Sequence, residues 1–205
     1  MTVIGRAANH IMIDLETIGT RPGSAILTIG AVRFDPASNG LDGCDPLALP
    51  NETAFYRRID RDSCARLGLT EDADTLSWWS RQALEARREA FDATPRHDIA
   101  EVMAEFARWC GRDPFPWSHG ASFDVVLCEV VFERLGVRAP WKFWNVRDTR
   151  TLYAFMGEKP IRDRNHHHAL CDAAAQAAAV QRAYRRQKNN HDPADTDRHR
   201  RRNIS

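Results

Sequence analysis

No stretch of the chain approaches the roughly 18 consecutive apolar residues that a membrane-spanning helix requires. The opening MTVIGRAANH also lacks the charged start and long apolar run of a secretory signal. A cytoplasmic protein with no membrane partner is expected. Charge of one sign is lacking too: 29 Lys and Arg against 28 Asp and Glu leave a net charge of +1. No whole-molecule field therefore draws the chain to a polyanion, and any basic surface has to be local. Cysteine is sparse. The five residues Cys44, Cys64, Cys110, Cys128 and Cys171 are odd in number, widely scattered and without a CxxC pair. This argues against a disulfide framework and against a structural zinc knot, and predicts reduced side chains, mostly in the core. No internal repeat is visible.

What is present suits one globular unit. A chain of 205 residues with 43% hydrophobic content can bury a single good core, and length favours one domain. Residues 10–14 (HIMID) and 25–35 (AILTIGAVRFD) are rich in β-branched and aromatic residues and are separated by Arg21-Pro22-Gly23, which predicts two neighbouring strands joined by a turn. Residues 36–51, with Pro36, Gly40, Gly43, Pro46 and Pro50, read as a loop, and 53–60 (TAFYRRID) as a third strand. From 72 to 93 the pattern is helical and charged, with Leu76, Trp79, Leu84 and Phe91 available to face inward. A second helix over 98–110 carries Ile99, Val102, Met103, Phe106 and Cys110 and stops at Gly111. A short strand at 114–120 leads into a helix over 122–136, with Val126, Leu127, Val130, Val131 and Leu135 on one face. Residues 142–147 look extended, a short helix runs from Asp148 to Met156, and the Ala-rich 169–187 is helical. The order is βββααβαβαα. Residues 188–205 form a charged tail expected to be disordered, and its RHRRR run reads first as solvated charge, second as a phosphate contact.

Several residues can carry chemistry. Asp14 and Glu16 are two apart at a strand end, so both carboxylates project to one side; alone, such a pair is a common polar terminus. Asp124 stands in the first turn of a helix, where an acid also complements the dipole. Asp172 lies in an alanine run four residues before Gln176, and taken alone a solvated helix face is its default explanation. His166, His167 and His168 could suggest zinc, although adjacent side chains point in different directions and rarely share one ion. Together, four carboxylates from three elements and a nearby histidine supply hard oxygen ligands suited to Mg²⁺ or Mn²⁺.

In order along the chain, IMIDLET (11–17), HGASFD (119–124) and HHALCDA (167–173) resemble the three sequence blocks of the DnaQ-like, or DEDDh, 3′→5′ exonucleases. Residues 72–82 and 140–151 extend the resemblance toward the subgroup containing the exodeoxyribonuclease VIII nuclease domain and small bacterial and phage exoribonuclease-like proteins, so that it spans roughly residues 9–187. One departure stands out: the second block commonly reads H-N-A-x-F-D, and here Gly120 replaces the Asn.

The resemblance implies a ribonuclease H-like α/β fold, a mixed sheet of about five strands flanked by helices, with an exonuclease domain over residues 1–187. It implies two Mg²⁺ or Mn²⁺ ions held by Asp14, Glu16, Asp124 and Asp172, with His167 as the general base acting on water. Residues five apart on a helix differ by about 140° in direction, so His167 is expected on the loop ahead of the helix that carries Asp172, and spacing alone leaves His166 and His168 as alternatives. Leu15, Thr17 and Ile18 are expected to hold the terminal nucleotide at a nucleic-acid 3′ end, and Phe123 either to stack on a base or to pack in the core. Of the adjacent Trp78 and Trp79, one can be core while the other stacks, and Trp79 is assigned the substrate contact. Trp117, Trp141 and Trp144 are expected to pack, Asp148 to cap a helix, and Arg147 and Arg150 to make either a salt bridge or a phosphate contact. Single-stranded DNA or RNA is the expected substrate, and several relatives pair as homodimers. Two further readings stay open at this point: an inactive nucleic-acid-binding module of the same fold, and a zinc hydrolase built on the His triplet.

Overall fold

The first strand, β1 (His10–Thr17), organises the molecule through its alternation. Ile11, Ile13 and Leu15 point into one core and Met12 into another, each buried apolar side chain contributing about 1.5–3 kcal/mol. Asp14 and Glu16 continue the Met12 face. The computed structural model describes residues 9–161 and 167–190. In it β1 pairs antiparallel with β2 (Ile26–Phe34) and parallel with β4 (Phe115–Ser118), while β3 (Ala54–Arg58) pairs with β2 and β5 (Arg147–Asp148) with β4. The result is a five-stranded mixed sheet in the order β3-β2-β1-β4-β5.

Seven α-helices are found among the described residues: α1 (Arg61–Arg66), α2 (Ala73–Trp79), α3 (Leu84–Arg87), α4 (Ile99–Cys110), α5 (Asp124–Arg134), α6 (Thr149–Met156) and α7 (Ala169–Asn190). The first core joins β1 and β2 to Val102, Met103 and Phe106 of α4 and Leu127, Cys128 and Val131 of α5. The second lies beneath α7, whose Ala173, Ala174, Ala177 and Ala178 pack with Met12, Val32 and Phe34. Alanine and glycine set the separation there. A Cβ on Gly30 would stand 2.2 Å from the Leu170 nitrogen and 2.3 Å from the Ala169 carbonyl carbon, so the start of α7 rests directly on the backbone of β2. Because Gly30 pairs with Asp14, this contact also brings α7 over the acidic part of β1.

The differences from the expected elements have local causes. The segment 72–93 is not one helix: Ser80–Gln82 interrupts it, α3 runs into a single π turn over Arg88–Asp92, and the lost phase leaves Leu84 exposed. Residues 142–147 are not extended throughout. A 3-10 turn occupies Phe143–Asn145 because the buried Asn145 amide donates to the carbonyls of Asp113 and Pro114, and Phe143 and Trp144 are left exposed rather than packed. Trp117 and Trp141 are buried as expected. The buried face of α5 is Val125, Leu127, Cys128, Val131 and Phe132, with Val126 and Val130 only partly covered. Helix α1, capped by Asp60, had no counterpart in the expected order. α7 continues to Asn190, past the expected start of the tail at 188, and the remaining tail residues lie outside the described residues. No helix among the described residues is long and apolar enough to cross a membrane.

Candidate active site

At the end of β1 the register shifts between Glu16 and Thr17, an irregularity of the kind that re-aims side chains at strand ends. Beyond the last β1–β4 pair, Met12 with Trp117, the Leu15 N–H is taken over by the Asp124 carboxylate, which accepts it at 3.2 Å. Asp124 thus opens α5 and closes the gap past β4. On the other side, α7 presents Asp172 and, one turn on, Gln176, whose Nε2 donates to Asp14 Oδ1 at 2.8 Å.

His167 lies in the turn before α7, as its spacing from Asp172 predicts. Its φ of +68° is left-handed, a costly conformation for a residue with a side chain, and its N–H donates to Asp172 Oδ2 at 2.9 Å. The imidazole rests edge-on against Trp78 and Trp79, with ring centroids 5.1 and 5.8 Å away. Ligand atoms of Glu16, His167 and Asp172 all lie within 4.8 Å of one another. Asp14 and Asp124 stand outside that tight trio, yet the charges of Asp124 and Asp172 act on both Asp14 and Glu16.

Desolvation is the largest influence on these acids. It holds the carboxyls of Asp14 and Glu16 well above the usual carboxylate range, and the neighbouring carboxylates push the same way. Asp124 is pushed up to about 7 by burial, against the opposing pull of the Leu15 amide and the Arg150 guanidinium. Gln176, having given its Nε2 to Asp14, keeps a buried Oε1 with no hydrogen-bond partner among the described residues. Clustered oxygen acceptors, mutually repelling carboxylates and one imidazole form a donor set that fits divalent metal ions, and the residues present fit that group.

Beside the acids opens a cavity of about 560 Å³ lined by Leu15, Glu16, Thr17, Trp78, Trp79 and Phe123, together with polar residues of α2 and the loop after β1. The expected substrate contacts need two corrections, at Ile18 and Trp79. Ile18 is fully buried, and its N–H is engaged by the Ala25 carbonyl. Trp79 is the core member of its pair, its Nε1 donating to the Thr17 carbonyl at 2.9 Å, while Trp78 is the exposed one. The Thr17 hydroxyl is engaged by the Gly19 carbonyl. Phe123 is half-buried, packed partly on the first core and partly open to the cavity. His168 turns away from the acids, stacking on Tyr56 at 4.3 Å and lying 4.0 Å from Glu89, and burial lowers its pKa. Among the described residues only His167 of the triplet joins the acids, and His166 lies outside the described residues.

The model of the 3′-5′ exoribonuclease Rv2179c-like domain matches residues 9–184. The chain belongs to this family. As an Rv2179c-like domain it is similar to the exodeoxyribonuclease of Enterobacteria phage T4, 28% identical over 159 residues that cover 68% of each chain. Its fold is shared with exonuclease I. An E. coli structure with a zinc ion and single-stranded DNA matches with a TM-score of 0.58 at 17% identity, covering 87% of this chain and 41% of that one. A product-bound exonuclease I matches with a TM-score of 0.57 at 14% identity, covering 88% of this chain and 44% of that one. The chain therefore spans little more than two fifths of the exonuclease I chains it matches. These findings bear out the DnaQ-like resemblance and the ribonuclease H-like α/β fold.

Around the site of this Rv2179c-like domain, the sequence gives no role to Gly30 and Gln176 and leaves those of Trp78 and Arg150 open. An isolated glycine inside a β-branched run signals close backbone approach, which is the part Gly30 plays. Gln176 is the polar residue one turn beyond Asp172 in the alanine run, a position that marks it without disclosing its partner. Trp78 was indistinguishable from Trp79 by period. The sequence alone does not separate Arg150 from Arg147; in the fold Arg147 is occupied by the carbonyls of Trp144 and Val146 and by the Phe115 ring, whereas Arg150 lies beside Gly120. Asp148 caps α6 through the Thr151 N–H, as expected.

Proposed function

We propose that this Rv2179c-like domain hydrolyses phosphodiester bonds from the 3′ end of single-stranded DNA or RNA, releasing nucleoside monophosphates. Asp14, Glu16, Asp124 and Asp172 would hold two Mg²⁺ or Mn²⁺ ions. Bound there, divalent cations supply charge neutralisation at the phosphoryl oxygens and acidify water near neutral pH. The observation that carries the reading is the meeting of Glu16, His167 and Asp172 within 4.8 Å, with the charge of Asp124 acting on Glu16 and Asp14.

His167 takes the proton from the attacking water. Its place ahead of α7, with its backbone N–H tied to Asp172, fixes the imidazole beside the acids, where its ring nitrogen can accept a proton. Gln176 orients Asp14, and the Leu15 amide orients Asp124. The cavity beside Leu15 and Thr17 is of a size that takes a terminal nucleotide, with Trp78 and Phe123 offering ring faces for bases. A cavity of that kind, on a body with net charge of only +1, supports unpaired ends over long duplex. The proposed domain ends with α7, the proposed setting is the cytoplasm, and pairing of two copies is the expectation drawn from relatives.

End-labelled DNA and RNA oligonucleotides, single and double stranded, test this in the presence of Mg²⁺ or Mn²⁺, with Asp14→Ala as control. Ladders shortening from the 3′ ends of single strands are expected, with a loss of about a thousandfold in the control. Undiminished cleavage by Asp14→Ala, or shortening from 5′ ends, would contradict the proposal.

A further inference from the structure

Arg150 is the second residue of α6, exposed, and set against the loop that leads to Asp124. Its guanidinium lies across Gly120: Cζ, Nη2 and Nε stand 3.1, 3.3 and 3.4 Å from the point a Cβ on that glycine would occupy. Gly120 has φ +109°, which a side chain there would strain as well as crowd. The loop is fastened to the start of α6 on both sides. Asp148 Oδ2 accepts the Ala121 N–H at 2.6 Å, and His119 Nδ1 lies 3.0 Å from Thr149 Oγ1. Arg150, Gly120 and Asp124 are thereby held in one frame, and the Arg150 charge reaches Asp124. Among the described residues the Arg150 side chain makes no ion pair or hydrogen bond. A presented guanidinium beside a group of buried acids is matched to a ligand that is anionic at its oxygens, and its planar fork fits a phosphodiester.

We propose that Arg150 binds the phosphodiester backbone of the strand entering the carboxylate group, and that Gly120, having no side chain, lets the guanidinium lie there. The assignment rests on the exonuclease reading for the identity of the strand. It adds a backbone contact that does not read the base and that offsets the repulsion between the acids and the incoming polyanion.

Binding of fluorescein-labelled single-stranded oligo-dT, followed by anisotropy with Ca²⁺ replacing Mg²⁺ across a salt series, tests the proposal on the full chain. Arg150→Gln is expected to weaken binding about tenfold or more and to lower the slope of log Kd against log salt by about 0.7, the signature of one lost phosphate contact on a single strand. Arg150→Lys is expected to keep the slope while losing affinity with the fork. A merely structural arginine would change affinity without changing the slope. Wild-type slope in Arg150→Gln, or wild-type affinity in Arg150→Lys, would overturn the assignment. Cleavage by the wild type with an unaltered slope in Arg150→Gln rejects the Arg150 assignment alone. A slope change in a protein that never cleaves rejects the exonuclease reading alone.

Discussion

Asp124 is a carboxylic acid kept where its charge is disfavoured, and its protonation links the site to the stability of the fold. In the unfolded chain it titrates near 3.9, and in the folded protein at about 7, so between those values the folded state holds the extra proton. Stability of the metal-free protein is therefore present in full at low pH and declines as pH rises from about 4 through 7, with Asp14 and Glu16 shifting in the same direction. Chemical denaturation across that range should show the decline, and Asp124→Asn should flatten it; a rise in metal-free stability over the same window would contradict the burial argument. The two tryptophans separate by the same logic of environment. Trp78→Ala should raise KM about tenfold for single strands with little loss of stability, because it removes one stacking face. Trp79→Ala should instead destabilise by about 3–5 kcal/mol, since it empties a core position and strands the Thr17 carbonyl; equal KM effects from both would refute the division. The acids were legible in the sequence through the resemblance of three ordered blocks to the DnaQ-like pattern, with which the strand period at Asp14 and Glu16 and the five-residue spacing from His167 to Asp172 agree. Which indole faces out was not legible, since adjacent residues carry opposite roles under either phase, and Ile18 is claimed by its own backbone pairing rather than by any property of isoleucine.

At the scale of elements, the site exists because α7 can lie almost in contact with β2. Alanines at 173, 174, 177 and 178 keep the helix close, and Gly30 removes the one Cβ that would collide with the helix backbone. Gly30→Ala should lower stability by about 3 kcal/mol, a fall in Tm of roughly 6–12 °C for a chain of this size, and should lose activity as Asp172 and Gln176 move away from Asp14. Calorimetry and an oligonucleotide assay on the same variant check both parts, and an unchanged Tm would mean that the close approach has been misjudged. Elements with strong internal period, such as α4 and the alanine-rich α7, follow from the sequence. The break inside 72–93 and the turn at 143–145 do not, because one depends on a local interruption of the helix and the other on Asn145 satisfying carbonyls over thirty residues away in the chain.

For the whole molecule, near-neutral net charge hides a sharp local contrast, with four acids gathered around the start of α7 and Arg150 at the start of α6. Neither feature is visible in composition; both follow from the sheet order, which sets β4 and the start of α5 beside β1 while α7 crosses the same strand end. Like charges confined in this way are stabilised by divalent cations, so metal binding and folding should be linked, with about 2.7 kcal/mol of added stability at a hundredfold excess of ion over Kd. Calorimetric titration of the metal-free protein with Mn²⁺ tests this most directly. Binding to the wild type and its loss in Asp172→Asn are predicted, whereas an unchanged binding isotherm in that variant, or no binding to the wild type, would contradict the convergence of these acids on shared ions.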